Sequence, residues 1–447
     1  MLLVLFSLFF ILLFINLPVA FSIGISSMVA LSFYGDLPLS AVVTRMYSGV
    51  DSFTLLAIPF FIAAGEIMNE SGITDKIVSF SKNLVGHIKG GLAHVSIVSS
   101  MFFSGISGSA TADASALGSM LIPAMKKSGI DADFAVSVSA SSSAIGPIIP
   151  PSILFVIYGS IANVSIAKLF LGGVVPGLLI GFALMVVTYI YAKKRGYPSE
   201  KRASIKNLIK SFMDSLIALM MPVIILGGIF GGIFTATEAG VVAVFYAIVV
   251  GIFVYKKIKI SDLGRILIKA SITTSIALFV ISASSAFAWT LAWEGFGEIA
   301  LNFLTALSDN PTIILLLILL FVLVLGLFVE GIPVLIILSP VMLPVITGLN
   351  IDPAYFGVLL VMAVVIGSAT DKLGTRRVRL LCVVVLIGNF PCVFMSNCPS
   401  GRSGFWFFFV DRKDAAVVFP ITGVYGRDPG TRELHSCRRS LRTPWLD

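Results

Sequence analysis

Apolar runs long enough to cross a lipid bilayer recur along this chain from Met1 to about Thr370. A hydrocarbon core of roughly 30 Å takes roughly 20 apolar helical residues per crossing, so this stretch has room for about ten or more membrane segments. The runs are continuous and do not alternate with period two, which favours helices over a β-barrel. Because 57% of the 447 residues are hydrophobic and only 12% are charged, we predict an all-α polytopic membrane protein.

The basic residues lie mostly in short loops and in the C-terminal tail. The formal net charge is +8, but 12 of the 31 Lys and Arg residues and 6 of the 23 acidic residues follow Thr370, so residues 1–370 carry only about +2. Within that part the basic residues concentrate in the loops 193–210 and 256–269, as they do in cytoplasmic loops. We therefore expect a lipid bilayer and no nucleic acid around this chain.

The sequence has no feature typical of an enzyme. It contains no Gly-Lys dipeptide, so it has no phosphate-binding loop, and we expect no nucleotide cofactor. Its three histidines have neither the spacing of a metalloprotease nor that of a catalytic triad. The energy for any transport by the chain must therefore come from an ion gradient or from another subunit.

Residues 91–125 are predicted to form a re-entrant hairpin. Two short apolar arms are joined by the polar, small-residue stretch Ser104–Asp113. Lys89 precedes the unit and Lys126 with Lys127 follows it, which indicates that both ends lie on the cytoplasmic side. A hairpin whose tip lies inside the membrane satisfies both observations. The alternative is two tilted, shortened spans joined by a polar loop.

The next unit, 133–162, is predicted to be a broken helix. It is apolar at both ends, but its centre contains Pro147, Pro150 and Pro151 beside three serines. Each proline removes a backbone donor and clashes with the preceding turn. A broken helix at membrane depth is tolerated only where it faces protein or a polar cavity. The alternative is a kink filled by packing.

The chain contains an internal repeat with an offset of 221 residues. Seven identities fall in the 42 ungapped pairs that start at Gly105 and Gly326, and they include Pro123 with Pro344 and Asp131 with Asp352. The identities lie at glycine, proline and aspartate positions that bound the structural units. We therefore predict two related halves.

The second half is predicted to repeat the same units. A hairpin occupies 311–347 with its tip at Glu330–Pro333, and a broken helix starts at residue 353. The flanks of this hairpin contain no Lys or Arg, which indicates that the two halves, 1–210 and 211–370, are inverted across the membrane. Inverted repeats with broken helices are typical of secondary transporters, which bind substrate and coupling ions at the interruptions.

Hydroxyls and carbonyls freed at the interruptions are hard oxygen ligands suited to Na⁺, which we predict as the coupling ion. For any one serine, an interhelical hydrogen bond is an equally good interpretation. The first candidate Na⁺ site comprises Ser104, Ser107, Ser109, Thr111, Ser142, Ser143 and Gly146, and the second comprises Gly326, Glu330, Gly331, Pro333, Gly367 and Thr370.

A carboxylate substrate is expected close to these ion sites, because the N-termini of half-helices carry partial positive charge. Ionisable side chains within apolar runs are functional candidates by default. Asp113, Glu66, Glu238 and Glu330 meet this criterion, with helix capping or an interfacial position as the alternative, especially for Glu66 and Glu238. The candidate substrate residues are Asp113, Pro150, Pro151 and Pro333.

Together these motifs resemble the large membrane subunit of TRAP (tripartite ATP-independent periplasmic) transporters. The resemblance covers roughly residues 1–370. It implies sodium-coupled uptake of small organic anions such as C4-dicarboxylates or sialic acids across the bacterial inner membrane, by a moving elevator domain. It also implies two partners, a small four-helix membrane subunit and a soluble periplasmic substrate-binding protein. The motifs that carry it are Leu55–Phe61 with Gly65 and Glu66, Ser104–Asp113, Ser141–Pro151, Thr235–Ala239 and Glu330–Pro344.

The chain departs from the family pattern after Thr370. Both the repeat and the family place Pro-Pro next, but the sequence reads Asp371-Lys372. All four cysteines and a net charge of +6 lie in 371–447, which favours an aberrant, frameshifted tail over a genuine domain. Two alternatives to a transporter therefore stay open, a channel-like or non-transporting membrane scaffold and the inactive product of a truncated or frameshifted gene.

Overall fold

The computed structural model of the chain describes residues 1–34, 38–308, 310–327, 329, 331–372, 406–411 and 415–420. These residues form seventeen α-helices and one pair of strands, with a 3₁₀ turn at Phe53–Leu56 and a π turn at Val250–Val254. The helices are α1 Leu2–Phe14, α2 Val19–Tyr34, α3 Ser40–Ser48, α4 Ala57–Glu70, α5 Ile73–Val85, α6 Gly91–Ser107, α7 Ala110–Lys127, α8 Ala132–Ser143, α9 Ile153–Ala162, α10 Ile166–Arg195, α11 Ile205–Phe230, α12 Ala236–Val249, α13 Ile260–Trp293, α14 Phe296–Leu307, α15 Pro311–Leu325, α16 Gly331–Gly348 and α17 Pro353–Lys372.

All the helices lie in one compact unit, Met1–Val383. The second unit, Val384–Asp447, contains the strands β1 (Trp406–Asp411) and β2 (Ala415–Pro420). The two strands are antiparallel, with Trp406 opposite Pro420. The prediction of an all-α polytopic membrane protein is confirmed, with this strand pair as the exception, and the strands belong to the tail that the sequence set apart.

Six helical segments among the described residues are long and apolar enough to cross a bilayer, and five further apolar helices are shorter. The sequence estimate of about ten or more segments was the room that the apolar runs up to about Thr370 provide, and it exceeds the six long segments. The two counts differ because prolines and glycines divide several apolar runs into short helices. The six long segments are Phe53–Glu70, α10, α11, Ala236–Val254, α13 and α16.

In the first copy the arms α6 and α7 pack against each other, and both contact α8. The turn between them is two residues long. Gly108 adopts a left-handed conformation with φ of 57°, which glycine reaches without strain. The Ser109 hydroxyl accepts a hydrogen bond from the Ala112 amide at 3.5 Å and caps α7.

The predicted break of the next helix lies between α8 and α9, at residues 144–152. Its three prolines cannot donate to the helical ladder, so the chain leaves the helix there. The Ser152 hydroxyl donates to the Pro147 carbonyl and accepts from the Phe155 amide, which caps α9. The peptide bond between Pro150 and Pro151 is cis.

A polar network fixes the N-terminal end of α8. The Arg195 Nη1 atom lies 2.9 Å from Asp131 Oδ2 and 3.7 Å from Asp133 Oδ2. The Tyr197 hydroxyl donates to Asp131 at 2.6 Å. This hydrogen bond, and then the interactions with Arg195, lower the pKa of the Asp131 carboxyl. The network ties the start of the broken helix to the end of α10.

The second copy differs from expectation at the tip of its hairpin. The tip was predicted at Glu330–Pro333, but α16 begins at Gly331 and the connection is the segment after Leu325. Pro333 lies in the first turn of α16, where its missing N–H has no intrahelical acceptor to lose. Glu330 lies outside the described residues.

The helix that starts at residue 353 is also not interrupted where the repeat places the break. The helix α17 is continuous through Gly367 and Thr370 to Lys372. The repeat pairs Pro147, Pro150 and Pro151 with Ser368, Asp371 and Lys372. These residues keep their backbone donors, so the α17 ladder can continue. The helix therefore has no interruption within 353–372, in agreement with the missing Pro-Pro, and the part of this unit after Lys372 lies outside the described residues.

The two copies meet at a close contact between α9 and α17. The Tyr158 hydroxyl donates to the Pro353 carbonyl at 2.7 Å. The Tyr158 ring is fully buried, and a Cβ added to Gly357 would lie 2.1 Å from its Cε1 atom. Glycine at this position is what allows α17 to approach the ring.

Replacing Gly357 by alanine should therefore destabilise the protein. The new methyl would force the rigid ring or α17 to move, and overpacking of this kind costs about 1–3 kcal/mol. A lower apparent melting temperature of the detergent-purified protein would report this loss. Gly264→Ala is the matched control, because no atom lies within 4 Å of its added Cβ and alanine is favoured in a helix. Equal stability of the two variants would contradict the packing argument.

Candidate ion-binding site

The residues of the first candidate Na⁺ site surround the fully buried carboxylate of Asp113, in the first turn of α7, which we predicted as a substrate residue and not as part of the ion site. The Ser107 hydroxyl donates to its Oδ1 atom, and the Ser104 hydroxyl lies 3.2 Å from its Oδ2 atom. Ser104 also donates to the Ser100 carbonyl, so its single hydrogen is shared between two acceptors. An ionised carboxylate has about four acceptor positions, and these two hydroxyls fill fewer than two of them.

The start of the break closes one side of this carboxylate. A Cβ added to Gly146 would lie 2.7 Å from Asp113 Oδ2, and 3.1 Å from the Ser143 carbonyl oxygen. Any larger residue at position 146 would therefore collide with the Asp113 carboxylate. The hairpin tip and the broken helix thus meet directly at Asp113.

The end of the break lies against the hairpin through backbone carbonyls. A Cβ added to Gly108 would lie 2.2 Å from the Pro151 carbonyl oxygen, and one added to Gly105 would lie 3.7 Å from that of Pro150. Both prolines are buried. Carbonyl oxygens of the break therefore lie against the backbone of the hairpin tip, and such oxygens can only accept hydrogen bonds or bind a cation.

The other predicted hydroxyls of this site bond elsewhere. Ser142 donates to the Ser139 carbonyl at 3.0 Å and lies 3.4 Å from the Ser96 hydroxyl, and Ser143 donates to Ala140. Ser109 and the exposed Thr111 contact each other at 3.0 Å on the other side of the turn. Of the predicted residues, the structure brings together Ser104, Ser107, Asp113 and Gly146, with Pro150 and Pro151 beside the hairpin.

The second candidate site is formed differently. The backbones of Gly326 and Gly367 are in direct contact, since a Cβ added to either glycine would lie 3.0 Å from the Cα of the other. Pro333, seven residues after Gly326 in the sequence, is buried. Gly331 contacts Val364, because its added Cβ would lie 3.0 Å from Cγ1. The side chain of Thr370, like Glu330, lies outside the described residues.

The repeat makes the two sites unequal in chemistry. Its 221-residue offset pairs Ser104, Ser107 and Asp113 with Leu325, Phe328 and Val334. None of these replacements has a polar side-chain atom. A cation in the second copy would have to rely on backbone carbonyls or on residues without a counterpart in the first site.

Gly65 is a contributor that sequence reasoning did not assign to the site. A Cβ added to Gly65 would lie 3.5 Å from the Ser107 Cα, so α4 packs against the hairpin tip. Its neighbour Glu66 pairs with Lys269 of α13, with 2.7 Å between Oε2 and Nζ. Glu238 instead forms the capping box of α12 with Thr235 and is exposed. The capping alternative therefore describes Glu238, whereas Glu66 links two helices.

Residues 6–376 match the family described as the DctM component of the tripartite ATP-independent periplasmic transporter. The chain belongs to this family. It is therefore a membrane permease component and not an enzyme, as predicted. The DctM match ends at residue 376, close to the point where the sequence departs from its internal repeat.

Two relatives illustrate the range of DctM proteins. The chain is 41% identical over 380 residues to the sialic acid TRAP transporter large permease protein SiaM of Vibrio cholerae, covering 85% of this chain and 88% of that protein. It is 35% identical over 353 residues to the C4-dicarboxylate large permease protein DctM of Pseudomonas aeruginosa, covering 79% and 83%.

The fold of this DctM protein is also similar to that of the Alcanivorax borkumensis YdaH transporter. That crystal structure has a TM-score of 0.53 and covers 79% of this chain and 81% of its own. The sequence identity is only 13%, so the likeness concerns the fold alone.

The Glu66–Lys269 pair should contribute measurably to stability. Glu66 is mostly buried, with 17% of its side chain exposed, so Lys269→Gln would leave a carboxylate without its cation. We expect the free energy of unfolding to fall by about 1–2 kcal/mol. This is less than for a fully buried ion pair, because the lysine is half-exposed and solvent screens its charge. The control is Arg265→Gln in the adjacent Arg265–Glu70 pair, which spans 3.4 Å with the arginine 70% exposed and should cost less than about 0.5 kcal/mol.

Thermal unfolding of the two variants beside the parent provides the comparison. The reversed pair, Glu66→Lys with Lys269→Glu, should recover part of the loss. A Lys269→Gln protein as stable as the Arg265→Gln protein would show that the contact is no more than a surface ion pair.

Proposed function

We propose that this chain is the membrane-translocating subunit of a sodium-coupled uptake system for small organic carboxylates in the bacterial inner membrane. The buried Asp113 carboxylate at the junction of the hairpin tip and the broken helix carries this proposal. A transporter of this class needs a place where the coupling ion bridges elements that meet at an interruption. Asp113, with Ser104, Ser107 and Gly146, is such a place.

The donor set fits Na⁺. One carboxylate, two hydroxyls and nearby carbonyl oxygens are hard ligands. An isolated Asp at the membrane centre costs about 2.5–3.5 kcal/mol on insertion scales. One full and one shared hydrogen bond from hydroxyls, at roughly 1.5–3 kcal/mol for a bond to a charged group, are similar in size to that cost. A bound cation would fill the remaining acceptor positions of the carboxylate, and it would supply the coupling charge that links the ion gradient to uptake.

The other side of the same turn suits the anionic substrate. Thr111 is exposed and Ser109 is half-buried, and both lie at the N-terminus of α7, where partial positive charge attracts a carboxylate. The buried face of the turn would thus hold the cation and the open face the anion. Pro150 and Pro151 lie against this turn. In the second copy, Pro333 lies in the first turn of α16, the helix that corresponds to α7. The relatives named for sialic acid and C4-dicarboxylates support a carboxylate substrate.

The tripartite family description supports two partners. We propose a small four-helix membrane subunit and a soluble periplasmic protein that delivers the substrate, with transport by an elevator-type movement. The exposed apolar surface of the helical unit, for example Phe245 and Phe303, suits lipid or a membrane partner.

One observation favours a second candidate, a non-transporting product of a frameshifted gene. The α17 ladder continues through the position where the repeat and the family place Pro-Pro, and the family match ends at residue 376. Without that interruption the second copy cannot expose the same backbone carbonyls. The same observation leaves a channel-like scaffold as an alternative.

Sodium should stabilise the purified chain through Asp113. A ligand present at 100 times its dissociation constant adds about 2.7 kcal/mol to the unfolding free energy. We expect a higher apparent melting temperature in NaCl than in KCl or choline chloride at equal ionic strength. Asp113→Asn and Gly146→Ala should raise the sodium concentration needed by about tenfold or more, which corresponds to about 1.4 kcal/mol.

Ser119→Ala is the matched control, since this exposed serine on the same helix bonds only to its own turn. The test needs no transport activity, so it is informative even if the tail is aberrant. A sodium effect that is absent in the parent, or unchanged in Asp113→Asn, would refute sodium binding at this site.

The nucleotide sequence around codon 370 should contain a second frame that encodes Thr-Pro-Pro followed by apolar residues. Proteoliposomes with both partners should show sodium-dependent carboxylate uptake by the frame-restored chain and none by the chain as written, because only the former has the second interruption. Equal uptake by both chains would contradict the frameshift hypothesis. No uptake by either would contradict the transport proposal.

A further inference from the structure

The start of α11 combines positive charge with an exposed apolar surface. The helix has 26 residues and is therefore about 39 Å long, longer than a hydrocarbon core of roughly 30 Å. Its first turns can thus extend into the headgroup region. Four basic residues lie there or just before, Lys201, Arg202, Lys206 and Lys210, and all are exposed.

These four charges have no acidic partner among the described residues. No Asp or Glu lies between Lys201 and Met213 in the sequence. The flanking acids pair elsewhere, Glu200 with Lys82 at 2.9 Å and Asp214 with Lys76 at 3.8 Å. The segment therefore presents positive charge that the protein does not neutralise.

Large apolar side chains are exposed on the same two turns. Ile205, Ile209 and Met213 are 77%, 58% and 57% exposed and follow one another at helical spacing. The opposite face of α11 is covered by α5, where the Ser215 hydroxyl donates to the Lys76 carbonyl at 2.9 Å. The apolar stripe thus faces away from the protein, beside the row formed by Lys206 and Lys210.

We propose that the first two turns of α11 bind an anionic phospholipid. The lysine row and Arg202 would pair with the phosphate and headgroup, and the Ile205–Ile209–Met213 stripe would contact the acyl chains. Basic clusters next to a membrane segment attract anionic headgroups in this way. A free phosphate could pair with the basic residues but would leave the apolar stripe uncovered. Basic residues whose only role is to keep a loop on the cytoplasmic side would need no apolar stripe beside them. The lipid accounts for both features.

Native mass spectrometry of the full chain in detergent, titrated with dioleoylphosphatidylglycerol or dioleoylphosphatidylcholine, tests the proposal. The parent should retain the anionic lipid preferentially. Lys206→Gln with Lys210→Gln should lower its occupancy by about tenfold. Lys206→Arg with Lys210→Arg should preserve it, which also shows that changes at these positions are compatible with folding.

The charge-matched control is Lys126→Gln with Lys127→Gln at the end of α7. These lysines are exposed, but Met125 before them is buried, and Met120, at 40%, is the one exposed large apolar side chain of α7. This pair should leave lipid occupancy unchanged. The proposal is overturned if both Gln pairs lose the lipid equally, if the parent binds both lipids alike, or if glycerol phosphate displaces the lipid from the parent.

Discussion

Lipid offers no hydrogen bonds to an interrupted backbone, and the rest of this structure depends on that constraint. The chain is interrupted at the turn Gly108-Ser109 and at 144–152. Each interruption is covered by the other, since Gly108 lies against Pro151 and Gly146 lies against Asp113. Ser109 and Ser152 cap the helices that follow. A polar centre is therefore assembled inside an otherwise apolar fold.

The same constraint explains why the two copies are unequal. In the first copy, prolines force the break, and Ser104, Ser107 and Asp113 supply polar groups around it. In the second copy the equivalent positions are apolar or lack proline, and α17 stays helical through the contact between Gly326 and Gly367. The pair Tyr158 and Gly357 still joins the copies closely. One half of the chain thus retains chemistry that the described part of the other half lacks.

Much of the fold could be predicted from the sequence, because its signals are local. Apolar run length predicts membrane helices, and the cluster Pro147, Pro150 and Pro151 predicts the break between α8 and α9. The course of the chain at the end of α17 could not be predicted from the repeat, because the sequence reads Asp371-Lys372 where the repeat places Pro-Pro. The second hairpin tip was also misplaced, since proline is acceptable in a first helical turn and did not mark the turn itself.

The site was only partly predictable, because it depends on distances between elements far apart in sequence. The residue types around Asp113 were identified, but sequence gave no reason to separate Ser104 and Ser107 from Ser142 and Ser143. Which hydroxyl turns inward follows from helix rotation and from glycines such as Gly146. The contact between Gly65 and Ser107 likewise arises from packing, and only the family motif around Glu66 hinted at it.

Direct binding of radioactive sodium to the purified chain tests the central claim most closely, namely that the interruption at Asp113 forms a cation site. The measurement compares the parent with Asp113→Asn at equal protein concentration, with unlabelled NaCl or KCl as competitor. The account predicts saturable binding that NaCl displaces and KCl does not, and that Asp113→Asn abolishes or strongly weakens. Undiminished sodium binding by Asp113→Asn would contradict it.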